Sequence, residues 1–168
     1  QALPDQTEVL ARVEVDDARV VGRRRLRRHD VVALPRRLQE LPAVLDVLSL
    51  TRAVAHLADR TAWLAVLRSP WCGMTLGALH ALFHDDREAT IAELLADPER
   101  RARLAPTDCA RLERTWRVLE VAIAELRRFG LRDTVERAWN ALGGAATLTS
   151  ERELEEVEAY FDTLAGLE

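Results

Sequence analysis

A chain of 168 residues, 48% hydrophobic and 31% charged, suits one globular domain, or one domain and a fragment of a second. All 24 of its basic residues are arginine, which excludes a P-loop lysine and a Schiff-base lysine, and with the former a self-sufficient P-loop ATPase. No stretch is long and apolar enough to span a membrane, no signal-peptide pattern is present, and two distant cysteines make no disulfide framework, so a cytoplasmic, reducing setting is expected.

In chain order, "EVLARV" (8–13) reads as a strand. "DDARVVGRRRLRRH" (16–29) starts on two acids and ends on basic residues, as a helix dipole prefers, although Gly22 weakens it. "VVAL" (31–34) reads as a second strand, closed by Pro35. Two strands cannot close a sheet, so residues 1–36 are expected to be part of a larger α/β unit.

From residue 37 to the end the signal is helical, and the fold class expected is mainly α: a multi-helical domain behind a short strand–helix–strand remnant. "AVLDVLSLTRAVAHLADR" sets Asp46, Ser49, His56 and Arg60 on one polar stripe, and "TAWLAVLRS" puts Trp63, Leu64 and Leu67 on one face. Thr75 is the expected cap of "LGALHALFH", and "EATIAELLAD" is a short helix stopped by Pro98. Thr107 is the expected cap of a long helix carrying Leu112, Trp116, Leu119, Ile123 and Leu126, which Phe129-Gly130 ends. Val135, Ala138, Trp139 and Leu142 mark the next helix, closed by Gly143-Gly144. A capping box at Ser150–Glu153 opens the last, lined by Leu154, Val157, Phe161 and Leu164.

Several residues could carry chemistry. His80 and His84 are four apart on a helix, with Asp85, Asp86 and Cys72 close in sequence, a spacing that can bind a metal. No Glu follows the first His, so the zinc-protease pattern fails, and no metal site is expected. Cys72 and Cys109 lack CxxC partners and read as structural thiols. Ser69, Ser150 and the aspartates form no readable triad. Trp63, Trp116 and Trp139 stand at core spacing, whereas Trp71 falls in a loop.

Charge is unevenly spread behind the net value of -4: six of the ten residues Arg19–Arg28 are arginine, while Glu151–Glu168 holds seven acids and one arginine. The arginine block is either a solvated helix face or a phosphate-contacting surface that would use Arg23, Arg24 and Arg27. The connector "RSPWCGMTL" (68–76) spends Pro, Trp, Cys and Gly on consecutive positions. It is either an ordinary helix corner plugged by Trp71, or a glycine turn that brings a phosphate to the backbone at a helix start.

"LDVLSLTRAVAHLADRTAWLAVLRSPWCGMTLGALHAL" and "LRDTVERAWNALGGAATLTSERELEEVEAYFDTL" resemble the helical insertion, domain 2B, of UvrD/RecB-like superfamily 1 DNA helicases, of the bacterial UvrD-like or exonuclease V beta-like kind. "VLARVEVDDARVVGRRRLRRHDVVAL" is similar to the part of the second motor domain just before it, with Arg12 at the motif-IV arginine. The resemblance implies residues 1–36 from the motor domain and 37–168 as a 2B-like domain of an ATP-dependent motor that uses ATP and Mg. It implies that Gly73, Met74 and Thr75 touch the phosphates of duplex DNA, with Arg68 and Trp71 beside them and Arg12 facing ATP. The motor domains, and partner subunits in some relatives, are the implied protein partners.

The sole methionine is Met74, so Gln1 is not expected to be a native start: something was removed, or the chain is an excised piece; Walker and nuclease motifs are missing from it, and no catalysis is expected of it alone. The main alternative is a helical protein-interaction module without DNA contact, and a metal-dependent hydrolase built on His80 and His84 stands third.

Overall fold

The computed structural model describes residues 41–166. Among these the chain forms eight α-helices and one short 3-10 helix, with no strand, so the mainly α expectation holds. The strand–helix–strand reading, the boundary at residue 36, and Arg12, Arg23, Arg24 and Arg27 lie outside the described residues.

Helix α1 (Pro42–Ala55) starts on a proline, whose missing N–H would have had no partner in a first turn anyway. It buries Val44, Val47, Leu50, Thr51, Ala53 and Val54, more than one face, because α2, α6, α7 and α8 all pack on it. The sequence suggests a helix continuing to Arg60, but α1 stops at Ala55. Asp59 is the reason. Its carboxylate accepts the Ala62 N–H at 3.1 Å, which makes it the N-cap of α2 (Arg60–Arg68), and takes the Arg52 guanidinium at 2.7 Å. A carboxylate capping a helix contributes about 1 kcal/mol, and the packing of α2 across α1 selects this cap over a continued helix. His56 therefore lies in the corner between the helices, not on a polar stripe.

Helices α3 (Leu76–Phe83), α4 (Ile91–Ala96) and α5 (Pro98–Arg101) pack together and reach the rest through α2. A capping box opens α4: Thr90 Oγ1 accepts from Glu93 N–H at 3.2 Å, and the Glu93 carboxylate accepts the Thr90 N–H at 2.6 Å. Pro98 does more than end α4; it begins α5, with Asp97 as cap. Two arginines tie the connecting loop down. Arg60 donates to the carbonyls of Ala89 (2.6 Å) and Asp86 (2.8 Å), and Arg100 to that of Leu82 (2.8 Å).

Helix α6 (Pro106–Phe129) buries Leu112, Trp116, Leu119 and Ile123, as their spacing predicts. Its start differs from expectation: Pro106 occupies the first turn, Ala105 the cap position, and Thr107 caps nothing. Trp116 meets Trp63 of α2 with ring centroids 6.3 Å apart. Helix α7 (Leu131–Ala141) buries Val135, Ala138 and Trp139; α8 (Glu151–Ala165) buries Val157, Tyr160, Phe161 and Leu164 but leaves Leu154 37% exposed. Each fully buried aliphatic side chain contributes about 1.5–3 kcal/mol. The capping box expected at α8 is a variant: Ser150 Oγ accepts from Glu153 N–H, but the Glu153 carboxylate reaches the Thr149 N–H, one residue early.

Two details lock the core. Tyr160 Oη donates to Thr51 Oγ1 at 2.6 Å, joining α8 to α1, and Thr51 in turn donates to the Val47 carbonyl at 2.9 Å. Gly144, in the 3-10 helix Gly144–Thr147, lies so close under the Trp139 indole that a Cβ there would stand 2.0 Å from Nε1.

Candidate nucleic-acid interface

The connector between α2 and α3 is built from Ser69 outward. The Ser69 carbonyl accepts two N–H groups, from Cys72 at 3.0 Å and Gly73 at 2.8 Å, which closes a tight turn. Gly73 has φ +65°, where a side chain is strained, yet a Cβ there would meet nothing nearer than the Pro70 carbonyl at 4.0 Å. Glycine is needed for its conformation, not for a close approach. The chain then returns with Met74 N–H on the Leu67 carbonyl at 2.9 Å, and Thr75 Oγ1 caps α3 by accepting the Ala78 N–H at 3.1 Å, as the sequence indicates.

This geometry corrects two of the expected DNA contacts. Trp71 is 5% exposed and Met74 0%, so their side chains are core packing and present no surface to a duplex. The N–H groups of Gly73 and Met74 are already donated within the turn. The N–H groups without a main-chain acceptor begin at Thr75 and continue through Leu76 and Gly77 in the first turn of α3.

The surface of the turn is instead made by arginines. Arg68 Nη1 donates to the Met74 carbonyl at 2.6 Å, Arg111 Nη1 to that of Gly73 at 3.4 Å, and Arg114 Nη2 to that of Trp71 at 3.3 Å. All three residues are exposed, and among the described residues one carboxylate pairs with them, Asp108 at 3.4 Å from Arg111. Each guanidinium has five N–H donors in a planar fork, so most of them remain for a ligand. Arg68 is legible from the sequence, whereas Arg111 and Arg114 are not. The phase of α6 does set both to one flank of the buried Leu112, Thr115 and Trp116, but which loop that flank meets is a tertiary fact.

The other candidates are engaged elsewhere. The exposed rings of His80 and His84 stack with centroids 4.5 Å apart, and His84 Nδ1 bonds the His80 carbonyl at 2.8 Å. Asp85 is held between Arg100 (2.5 Å) and Arg103 (2.8 Å); hydrogen bonds from Arg103 and Arg100 hold its carboxyl well below the usual range. Asp86 accepts the N–H groups of Glu88 and Ala89 at 3.0 Å each, and these lower its pKa. Among the described residues no three His, Cys, Asp or Glu gather as a metal would require. Cys72 is buried, which pushes its thiol pKa up, whereas Cys109 is part-exposed with Sγ 3.8 Å from Glu113. Ser69 and Ser150 serve helix ends.

No described helix is long and apolar enough to cross a membrane. Comparison with protein families, with curated proteins and with solved structures returns no match to this chain.

Proposed function

We propose that this chain is the duplex-DNA-contacting helical domain of an ATP-dependent DNA helicase, or helicase-nuclease, of cytoplasmic DNA repair or recombination. The observation that supports it is the cluster of Arg68, Arg111 and Arg114 on the carbonyls of the 71–74 turn, exposed and short of carboxylates. Phosphate is the ligand such a cluster suits, because planar guanidinium forks match phosphate oxygens. The first turn of α3 adds the partial positive charge of a helix start beside it. Phosphate contacts carry no sequence information, so the binding would be sequence-independent. ATP and Mg would belong to motor domains of the parent chain, with Arg12 on their side; the present residues would grip the substrate of that motor.

The test is fluorescence anisotropy of a labelled duplex with the full chain at low and moderate salt. Weak binding is expected, about 10⁻⁴ to 10⁻⁶ M at physiological salt and falling as salt rises. Arg111→Glu with Arg114→Glu, folded by circular dichroism, should weaken it by about tenfold or more, since each lost charge-assisted bond is worth roughly 1.5–3 kcal/mol before solvent screening. Gly73→Asp is a poorer probe, because φ +65° strains any side chain there. No binding by the wild type at low salt, or equal binding by the variant, ends this reading.

The second reading, a protein-interaction module, is favoured by Leu76, which stands 72% exposed at the start of α3. It then takes the lead.

A further inference from the structure

Helix α6 carries a second group of cations at its far end. The guanidinium carbons of Arg128 and Arg137 lie 4.9 Å and 4.0 Å from the centroid of the same Phe129 ring. Two like charges are thus gathered about one aromatic ring, no farther apart than those two distances combined. Both residues are exposed. Two carboxylates at this corner, Asp133 and Glu136, pair with Arg132 at 3.0 Å and 2.8 Å, and Asp162 also faces Arg132. A ring can hold a guanidinium by cation–π attraction while leaving its N–H groups unused.

This pair is in line with the turn. Arg114, Val121 and Arg128 recur every seven residues, so they share one line along α6, with Arg117 beside it. That line faces away from the buried Leu112, Trp116, Leu119 and Ile123, and Val121 at its middle is 55% exposed. Arg114, Arg117, Arg128 and Arg137 make no ion pair among the described residues; Glu113 and Glu125 flank the line without closing on it. From Arg114 to Arg128 the helix rises about 21 Å, which corresponds to roughly six base pairs of duplex.

We propose that Arg128 and Arg137 form a second phosphate contact, so that a bound duplex lies along the Arg114–Arg128 line of α6, gripped at the turn and again at the Phe129 elbow. This rests on the duplex-binding reading above for its first contact. The ligand chemistry is a phosphodiester backbone long enough to reach both ends, and a single isolated phosphate would not satisfy it.

The experiment is the salt dependence of binding to a labelled duplex of about two helical turns, read as the slope of log affinity against log salt, to which each phosphate contact contributes about 0.9. Arg128→Ala with Arg137→Ala should weaken binding and reduce the slope by about 1.8, whereas Arg128→Lys with Arg137→Lys should keep most of the slope, because the charge remains. The single change Arg137→Gln, at an exposed position, should remove about half as much slope and serves if the alanine pair does not fold. A wild-type slope in the alanine pair or in Arg137→Gln overturns the proposal. If wild type binds and the Arg111/Arg114 reversal weakens it while the elbow variants bind unchanged, this proposal alone fails. If wild type does not bind at all, the reading beneath it fails as well.

Discussion

The hydroxyl pair that joins α8 to α1 offers a sharp test of the core. Tyr160 and Thr51 are both 0% exposed, and the Tyr160 O–H donates to Thr51 Oγ1 at 2.6 Å. The two partners are not equivalent. Thr51 Oγ1 also donates to the Val47 carbonyl at 2.9 Å, so in Tyr160→Phe the threonine keeps a partner. That change should cost about 0.5–1.5 kcal/mol, the net worth of one hydrogen bond. Thr51→Val keeps the shape and leaves the phenol buried with no acceptor, which should cost about 1–3 kcal/mol. Replacing both removes donor and acceptor together, so the double variant should be less destabilised than the two singles summed, by about 1 kcal/mol. Urea unfolding followed by circular dichroism measures all four corners of the cycle, with an unchanged m-value as the check that the folded and unfolded states are comparable. A shift of 1 kcal/mol corresponds to about 2–4 °C in Tm for a chain of this size. Additivity within about 0.5 kcal/mol, or Tyr160→Phe costing more than Thr51→Val, would refute the argument that an orphaned phenol is the dominant penalty.

Two further outcomes concern other parts of the core and its surface. Gly144→Ala should destabilise by about 1–3 kcal/mol, because the new Cβ collides with the Trp139 indole, which also packs edge-on with Phe161 at a centroid distance of 5.8 Å; urea unfolding with a shifted Trp emission is the readout, and an unchanged midpoint counts against it. Asp85 has a folded-state pKa below its unfolded one, so its interaction with Arg103 and Arg100 stabilises fully above about pH 3.9 and is lost as pH falls through the depressed folded value. The stability gap between wild type and Asp85→Asn should therefore narrow in acid, and a carboxyl NMR titration of Asp85 with an ordinary midpoint would contradict the sign.

Helix existence was readable because burial imposes a period: Leu112, Trp116, Leu119 and Ile123 announce α6, and Val135, Ala138 and Trp139 announce α7. Where one residue had two options, sequence did not decide. Asp59 could continue a helix or cap a new one, and the packing of α2 across α1 selects the cap. Thr107 and Pro106 both suit a helix start, and the proline takes the first turn. The 69–75 turn was legible as a turn, from Gly73 and Thr75, but not which way its side chains point. Trp71 and Met74 are apolar and go inward once there is a core to receive them, and two of the three arginines that replace them on the surface come from a helix more than thirty residues away, Arg111 bonding across 38 positions. Sequence spacing describes single elements, and a surface assembled from two of them leaves no periodic trace.

Arginine, used here in place of every lysine, has a consequence for how the loops behave. Arg60, Arg68, Arg111 and Arg114 each reach a main-chain carbonyl in a connection between helices, and Arg100 reaches one in the last turn of α3. A guanidinium keeps its proton across the whole accessible pH range, unlike an imidazole or a carboxylate. The loops are therefore fastened by groups that do not titrate. Acidification that releases Asp85 from its partners leaves the carbonyl bonds of Arg60 and Arg100 in place, so the connections between helices should hold their shape in conditions that have already weakened the ion pairs around them.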